Sequence, residues 1–384
     1  MPEIARADHV GSLLRPQYTQ DARAALRSGF GSRSDLNAAL DRAVLEHIEL
    51  QEQSGIDVIS DGEGRRTNWI ASLQMGGETT YVAPMGGIEP RDITPPAWFS
   101  YWRLNDGRKR EMTLTNWNVI TKPLTFERDI VGDEYGFLAR HTDKRKKFTF
   151  PSPSYHRIFW DPVYSKDAYP TVDAFLEAVR DWIREHIVER AIALGCDYIQ
   201  MDAPNYGQSY TDPEVMDVMR ARGQDLDAEL IGDAEIDNSL FEGITGVTKA
   251  LHVCRGNGPG GSWSAAGGYD RFAEEMFPRL THYDTLLLEY DTPRAGDFSP
   301  LMHVLPDTTV VLGLLTTKEP ALEDALLIEQ RIGEASQFVP LERLSLSPQC
   351  GFASAGLGNP LSKQEQLAKL QRVVEVARKV WGAK

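Results

Sequence analysis

The segment LHVCRGN, residues 251–257, sets a histidine and a cysteine two positions apart at the end of an apolar run. Side chains on a strand alternate faces, so His252 and Cys254 project to the same side and can grip one ion. A second cysteine, Cys350 in LSPQCGF, follows another short apolar run far along the chain. Imidazole and two thiolates are a natural ligand set for Zn²⁺, and three protein ligands leave a position open for substrate. An isolated H-x-C is more often a core histidine beside a buried thiol. What singles this one out is that Cys254 and Cys350, distant in sequence, both stand at predicted strand ends. Cys196 precedes its strand and reads as structural.

Carboxylates at strand ends extend the constellation. Glu289, in TLLLEYD, either completes the metal's ligands, where an incoming thiol could displace it, or is a salt-bridged core acid. Asp291, two residues on and facing the same side, competes for either place. Asp202 ends the strand in YIQMDAPNY, and Glu63 follows an earlier one in ISDGEGRR; together these two suit an ammonium group. A thiol has a pKa of about 8.5, its thiolate is the nucleophile, and coordination to Zn²⁺ strips the proton at neutral pH. Hydrolysis by metal-bound water competes as a reading. Two thiolate ligands, however, put negative charge on the metal and make it a poorer acid towards water, so the expected chemistry is alkylation of a small thiol.

Such a constellation needs strands whose ends converge. Short apolar runs at Ala5–Val10, Asp57–Ser60, Lys147–Phe150, Asp197–Met201, Leu251–Cys254, Thr285–Tyr290, Thr309–Leu314 and Leu344–Ser347 alternate with amphipathic stretches. The clearest of these are Asp35–Gln53, Val172–Leu194, Tyr269–Leu280, Ala321–Phe338 and Ser362–Val380, with capping signals at Ser34 and at Ser362 with Glu365. Eight strand–helix units predict an α/β chain folded as a (β/α)₈ TIM barrel, with the strand ends meeting at one mouth. The glycines of GNGPGG lack the spacing of a nucleotide loop. Residues 64–146, with Trp69, Trp98, Phe99, Tyr101, Trp102 and Trp117, form a long insertion after the second strand. It is expected to cover the site, pack on a neighbouring subunit or form a satellite core. The whole of 1–384 reads as one catalytic barrel domain.

The balance of 56 acidic against 41 basic residues, a net charge of −15, disfavours nucleic acid and anionic membranes as partners. A small molecule fits better, and a homo-oligomer is compatible with it. No run is long and apolar enough to span a membrane, and the opening MPEIARADHV lacks an export signal, so a cytoplasmic location is expected. Three scattered cysteines make no disulfide framework.

Taken in order, DHVGSLLRP, DGEGRR, YIQMDAPNY, LHVCRGN, LLLEYDTPRAGDFSPL and SPQCGFAS resemble the catalytic C-terminal barrel of cobalamin-independent methionine synthase and its short single-barrel relatives. The resemblance implies a zinc-dependent methyltransferase that methylates L-homocysteine to methionine, from a methylfolate or another methyl carrier. It implies zinc ligation by His252, Cys254, Glu289 and Cys350. It places the homocysteine carboxylate on the backbone around Gly11 and Ser12 and the ammonium on Glu63 and Asp202. The chain departs from the family in lacking the N-terminal barrel of the full-length enzymes, and in carrying Lys318 where the family has a histidine near the end of the seventh strand. Glu289, Asp202 and Lys318 are then the residues expected at the reacting centre, while His9, His156 and His303 are other candidate proton donors. The competing readings are alkyl transfer to another thiol, as in epoxyalkane:coenzyme M transferases, a metal-free decarboxylase-like barrel, and a non-catalytic zinc- or thiol-binding protein. Glu63 and Asp202 argue against the first, because a sulfonate thiol has no ammonium to satisfy them.

Overall fold

A computed structural model describes residues 3–73, 83–93, 102–104, 107–108, 116–356 and 358–382. An antiparallel hairpin, β1 (Met85–Arg91) and β2 (Trp117–Phe126), precedes β3 (Lys147–Pro151), β4 (Tyr198–Asp202), β5 (Thr248–Val253), β6 (Thr285–Glu289), β7 (Thr309–Leu315) and β8 (Leu344–Pro348). The last six pair in parallel and in chain order. Their alternation decides two environments. Ile199, Met201, Leu251, Val253, Leu286 and Leu288 join the large core outside the sheet, while Tyr198, Ala250, Leu287 and Val311 pack together on the other face with Ala5, Val10 and Val58.

The predicted first and second strands close the ring, though each is reduced to a single bridge, Ala7 with Leu346 and Ile59 with Lys146, both parallel. Backbone hydrogen bonds of 2.9 Å run from Asp8 to Leu346, from Asp57 to Ala7 and from Lys147 to Ile59, joining β8 to β3 through these two segments. The ladder between them is short for a physical reason: Asp57 Oδ2 accepts the N–H groups of Arg6 at 2.7 Å and Ala7 at 3.0 Å, replacing strand carbonyls. The architecture is thus a (β/α)₈ barrel whose first two strands are pinned in part by a side chain.

Helices Arg33–Ser54 and Lys363–Trp381 each begin with a reciprocal capping box, Ser362 with Glu365 as expected and Ser32, not Ser34, with Asp35. Ser34 already lies inside the first turn. The stretch Tyr269–Leu280 breaks into three short pieces, because Phe272 leaves the helical region at φ −129° and Pro278 brings no N–H to the ladder. Helix Val172–Ile183 continues through a π-helical turn, Arg184–Glu189. None of the helices searched among the described residues is long and apolar enough to cross a membrane.

Of the aromatic residues in the insertion, Trp98, Phe99 and Tyr101 lie outside the described residues. Trp117 stacks on Phe159 with ring centres 6.3 Å apart, and Trp69 meets Tyr155 edge-on at 4.8 Å. Two strands of contact reach the barrel mouth. Asn68 bridges to Ala355, and Arg103 bridges to Trp263 through a reciprocal pair of backbone hydrogen bonds.

Candidate functional site

β5 points His252 inward and ends at Val253, so Cys254 begins the loop at the mouth. β6 ends on Glu289 itself, and Cys350 lies just beyond β8. One ligand atom from each of these four residues lies within 4.8 Å of the other three, and all four residues are buried. The two sulfurs are 3.6 Å apart. His252 Nδ1 donates to Leu287 O at 3.2 Å, which leaves Nε2 to offer a lone pair to an ion once it gives up its proton, and Nε2 is buried without a hydrogen bond. Glu289 Oε2 accepts from the Arg255 N–H at 3.2 Å, while Oε1 is likewise buried without a partner.

The loops bearing the sulfurs are locked to each other. Asn257 Nδ2 donates to Gly351 O at 2.7 Å and to Ser354 Oγ at 3.1 Å. A Cβ on Gly351 would fall 2.0 Å from Ser12 Oγ, so this loop passes close against Ser12. The Arg255 guanidinium, buried, donates to Glu289 O at 2.8 Å, and Tyr269 Oη accepts from Glu289 N at 2.7 Å. Asp291, expected to compete with Glu289, is absent from the four-residue cluster, and both its oxygens are buried without hydrogen bonds.

Among the four groups by themselves the charges are strongly coupled. Burial lowers the His252 pKa, but Cys350, Asp202 and Glu289 outweigh it and hold the imidazolium to about 9. The sulfur pair shares one proton: hydrogen bonding to Cys350 holds the Cys254 pKa well up, and the same bond, helped by His252 and Lys318, holds Cys350 well down. Burial raises Glu289, against the pull of Lys318. This donor set, one imidazole nitrogen, two sulfurs and a carboxylate oxygen, all on buried residues, could hold a metal ion, and its chemistry fits zinc.

Beside the cluster lies a second group of acids. Glu63 is buried at φ 53°, a left-handed conformation that costs a non-glycine residue on the order of 1–3 kcal/mol. Its Oε1 accepts from Thr149 Oγ1 at 2.9 Å and stands 3.5 Å from Arg66, whereas Oε2 is buried without a partner. A Cβ on Gly11 would lie 3.0 Å from Glu63 Oε1, so the backbone at Gly11 and this carboxylate are neighbours. Asp202 Oδ1 accepts from Gln200 Nε2 at 2.8 Å. Burial pushes Asp202 up to about 7, with His252 and Gln200 opposing and Glu63 and Cys350 adding.

Lys318 is buried, and its Nζ has no hydrogen-bond partner. The other proton-donor candidates separate from it. Burial, with Lys147, lowers His9 to about 3, and burial lowers His156 to about 4, so both are neutral at physiological pH. His303 sits on a short 3₁₀ turn, Ser299–His303, outside the cluster. Cys196 is buried away from the site and donates to Tyr198 O at 3.2 Å, with burial pushing it up to about 12. Sequence reasoning passed over Arg255, Asn257 and Gln200. The signal for Gln200 was present, as a polar residue inside an apolar run and on the same face as Asp202.

No family model matches the chain. The uncharacterised protein YxjH of Bacillus subtilis is 33% identical over 98% of this chain and 94% of its own length. A Listeria monocytogenes structure, provisionally described as a vitamin B12-independent methionine synthase, matches with a TM-score of 0.70 and 27% identity, covering 99% of this chain and 100% of that one. The 5-methyltetrahydropteroyltriglutamate–homocysteine methyltransferase of Actinobacillus pleuropneumoniae is 22% identical over 97% of this chain, which spans 42% of that relative's length.

Proposed function

The chain belongs to the cobalamin-independent methionine synthase family, and we propose that it transfers a methyl group to the thiol of L-homocysteine, giving methionine. The observation that carries this reading is the buried convergence of His252 Nε2, Cys254, Glu289 and Cys350, a set whose unpartnered nitrogen and oxygen fit zinc. Zinc held there supplies a Lewis acid that keeps a bound thiol ionised at neutral pH. The protein does the rest. The backbone at Gly11 and Ser12 receives the amino-acid carboxylate, Glu63 and Asp202 hold the ammonium, and the thiolate so placed attacks the methyl carbon in line. The leaving group departs with a proton, which Lys318 offers from Nζ. The insertion's contacts at Asn68 and Arg103, beside the loops that carry the two sulfurs, support its reading as a cover that keeps water out.

Zinc loading of metal-stripped protein at pH 7 is expected to release about two protons per ion, one from His252 and one from the sulfur pair. Because His252 holds its proton up to about 9 and Cys254 holds its own well above the usual thiol range, apparent zinc affinity should rise with pH across the neutral range and less steeply above about 9. Calorimetry in buffers of different ionisation enthalpy measures the release, and heats independent of buffer would count against this ligand set.

Isothermal titration of L-homocysteine into zinc-loaded protein tests the acceptor. Binding with release of the thiol proton is expected. Coenzyme M is the informative control, since the buried Lys318, whose Nζ has no hydrogen-bond partner, suits an anionic thiol. Binding of coenzyme M and not homocysteine would keep the thiol chemistry and discard methionine synthesis.

A further inference from the structure

A buried polar column stands beneath the acid assigned to the ammonium. On β4 the side chains of Tyr198, Gln200 and Asp202 recur at every second position, on the face opposite Ile199 and Met201. Tyr198 Oη donates to Asp8 Oδ2 at 2.7 Å. Lys147 Nζ donates to Asp8 Oδ1 and to Gln200 Oε1, both at 2.8 Å, and also meets His9 O. Gln200 Nε2 in turn donates to Asp202 Oδ1 at 2.8 Å and to Val10 O at 2.6 Å. Tyr198, Asp8, Lys147, Gln200 and Asp202 are all buried.

An amide can face either way, and here Lys147 decides. An ammonium has three donors and no acceptor, so Gln200 must turn its oxygen to Lys147 and its NH₂ group the other way. Both amide hydrogens are then committed, one to the carboxylate of Asp202 and one to the carbonyl of Val10. Val10 directly precedes Gly11 and Ser12. A single amide nitrogen therefore ties the acid that would hold an α-ammonium to the backbone that would hold an α-carboxylate. Asp202 Oδ2 takes no part in these bonds.

We infer that Gln200 is a positioning residue that fixes the two halves of an α-amino-acid head site at one spacing, with Lys147 setting its orientation, so that the site selects thiols bearing both groups. The inference rests on the reading of Gly11, Ser12, Glu63 and Asp202 as that head site. Ligands carrying only one of the two groups need no such registration, and this separates positioning from general packing.

The experiment uses zinc-loaded full-length protein and three thiols: L-homocysteine, 4-mercaptobutyrate, which lacks the amine, and 3-aminopropanethiol, which lacks the carboxylate. Gln200→Glu keeps the acceptor for Lys147 and replaces the donor with an oxygen that repels Asp202 and Val10 O. Gln200→Met removes both bonds at similar volume. Each variant is expected to weaken homocysteine about 30-fold or more, from the loss of a hydrogen bond to a charged group. The single-group thiols should change by less than about threefold, and zinc content should stay the same. Equal weakening of all three thiols, or an unchanged homocysteine affinity, overturns the inference; if one variant does not fold, the other decides. Wild-type protein that does not prefer homocysteine to both analogues removes the head-site reading and this inference with it, whereas a wild-type preference that both variants keep removes the inference alone.

Discussion

Cys350→Ser is expected to emerge folded and nearly empty of metal. Zinc in sites of this ligand class is held by roughly 10–16 kcal/mol shared over four ligands, so the loss of one thiolate costs about 3 kcal/mol, or a hundredfold in affinity. Serine cannot substitute, because an alcohol does not ionise at neutral pH as a coordinated thiol does. Without metal, Cys350 is the sulfur held well below its usual pKa, by hydrogen bonding to Cys254 and by His252 and Lys318. The fold should tolerate the change. Cys350 lies in the loop after β8 and serine is close to isosteric, so destabilisation should stay within about 1.5 kcal/mol. Metal analysis after dialysis against a chelator gives the first quantity and thermal unfolding the second. Full retention of metal would sink the ligand assignment, and loss of the folded state would show that Cys350 serves the barrel instead.

The parts of this site that could be read from sequence are those fixed by local periodicity. His252 lies on the inner face because β5 alternates, with Cys254 two residues on at the start of the loop, and Glu289 ends an apolar run because β6 has to be buried on both sides. The six strands from Lys147 onwards follow the same rule. What failed to show depended on contacts made across the ring. The shortness of the first two strands comes from the Asp57 carboxylate capping Arg6 and Ala7, which no pattern within either segment reveals. The choice between Glu289 and Asp291 was open in the sequence, since both face one way on an ideal strand. β6 stops at Glu289, and the chain turns into the Pro293–Ala295 helical turn before Asp291 can join the cluster. Gln200 was visible as a polar intruder, but its orientation is set by Lys147, on the neighbouring strand, which is itself held by Asp8 from near the N-terminus.

The distribution of unsatisfied atoms gives the site a direction. A buried polar atom without a partner costs on the order of 1–3 kcal/mol, so such atoms are tolerated where a ligand completes them. Glu63 Oε2 lies in the group of acids near Gly11, whereas Glu289 Oε1 and His252 Nε2 belong to the four-residue cluster, on which Lys318 acts electrostatically. The first suits an ammonium, and the second suits a cation held by nitrogen and oxygen with an amine beside it. A thiol whose chain links an amino-acid head to a sulfur would bridge the two groups.

Asp202→Asn is the substitution expected to separate that bridge most sharply. The asparagine keeps the acceptor for Gln200 Nε2 but removes the charge, and truncating one partner of a buried charge pair costs about 2–5 kcal/mol. Homocysteine should therefore weaken by about a hundredfold, and 4-mercaptobutyrate, with no amine, by little. The pH dependence adds a second signature. Burial raises the Asp202 pKa to about 7, so the charged form that attracts an ammonium fills in as pH rises through that value. The ratio of homocysteine to 4-mercaptobutyrate affinity should thus climb from pH 6 to pH 8 in the wild type, while thiol ionisation, common to both ligands, cancels from the ratio. In Asp202→Asn the ratio should be low and flat over the same range. Titration of both thiols at three pH values measures it. Equal losses for the two ligands would mean that Asp202 supports the cluster through His252, and a wild-type ratio independent of pH would place the ammonium on Glu63 alone.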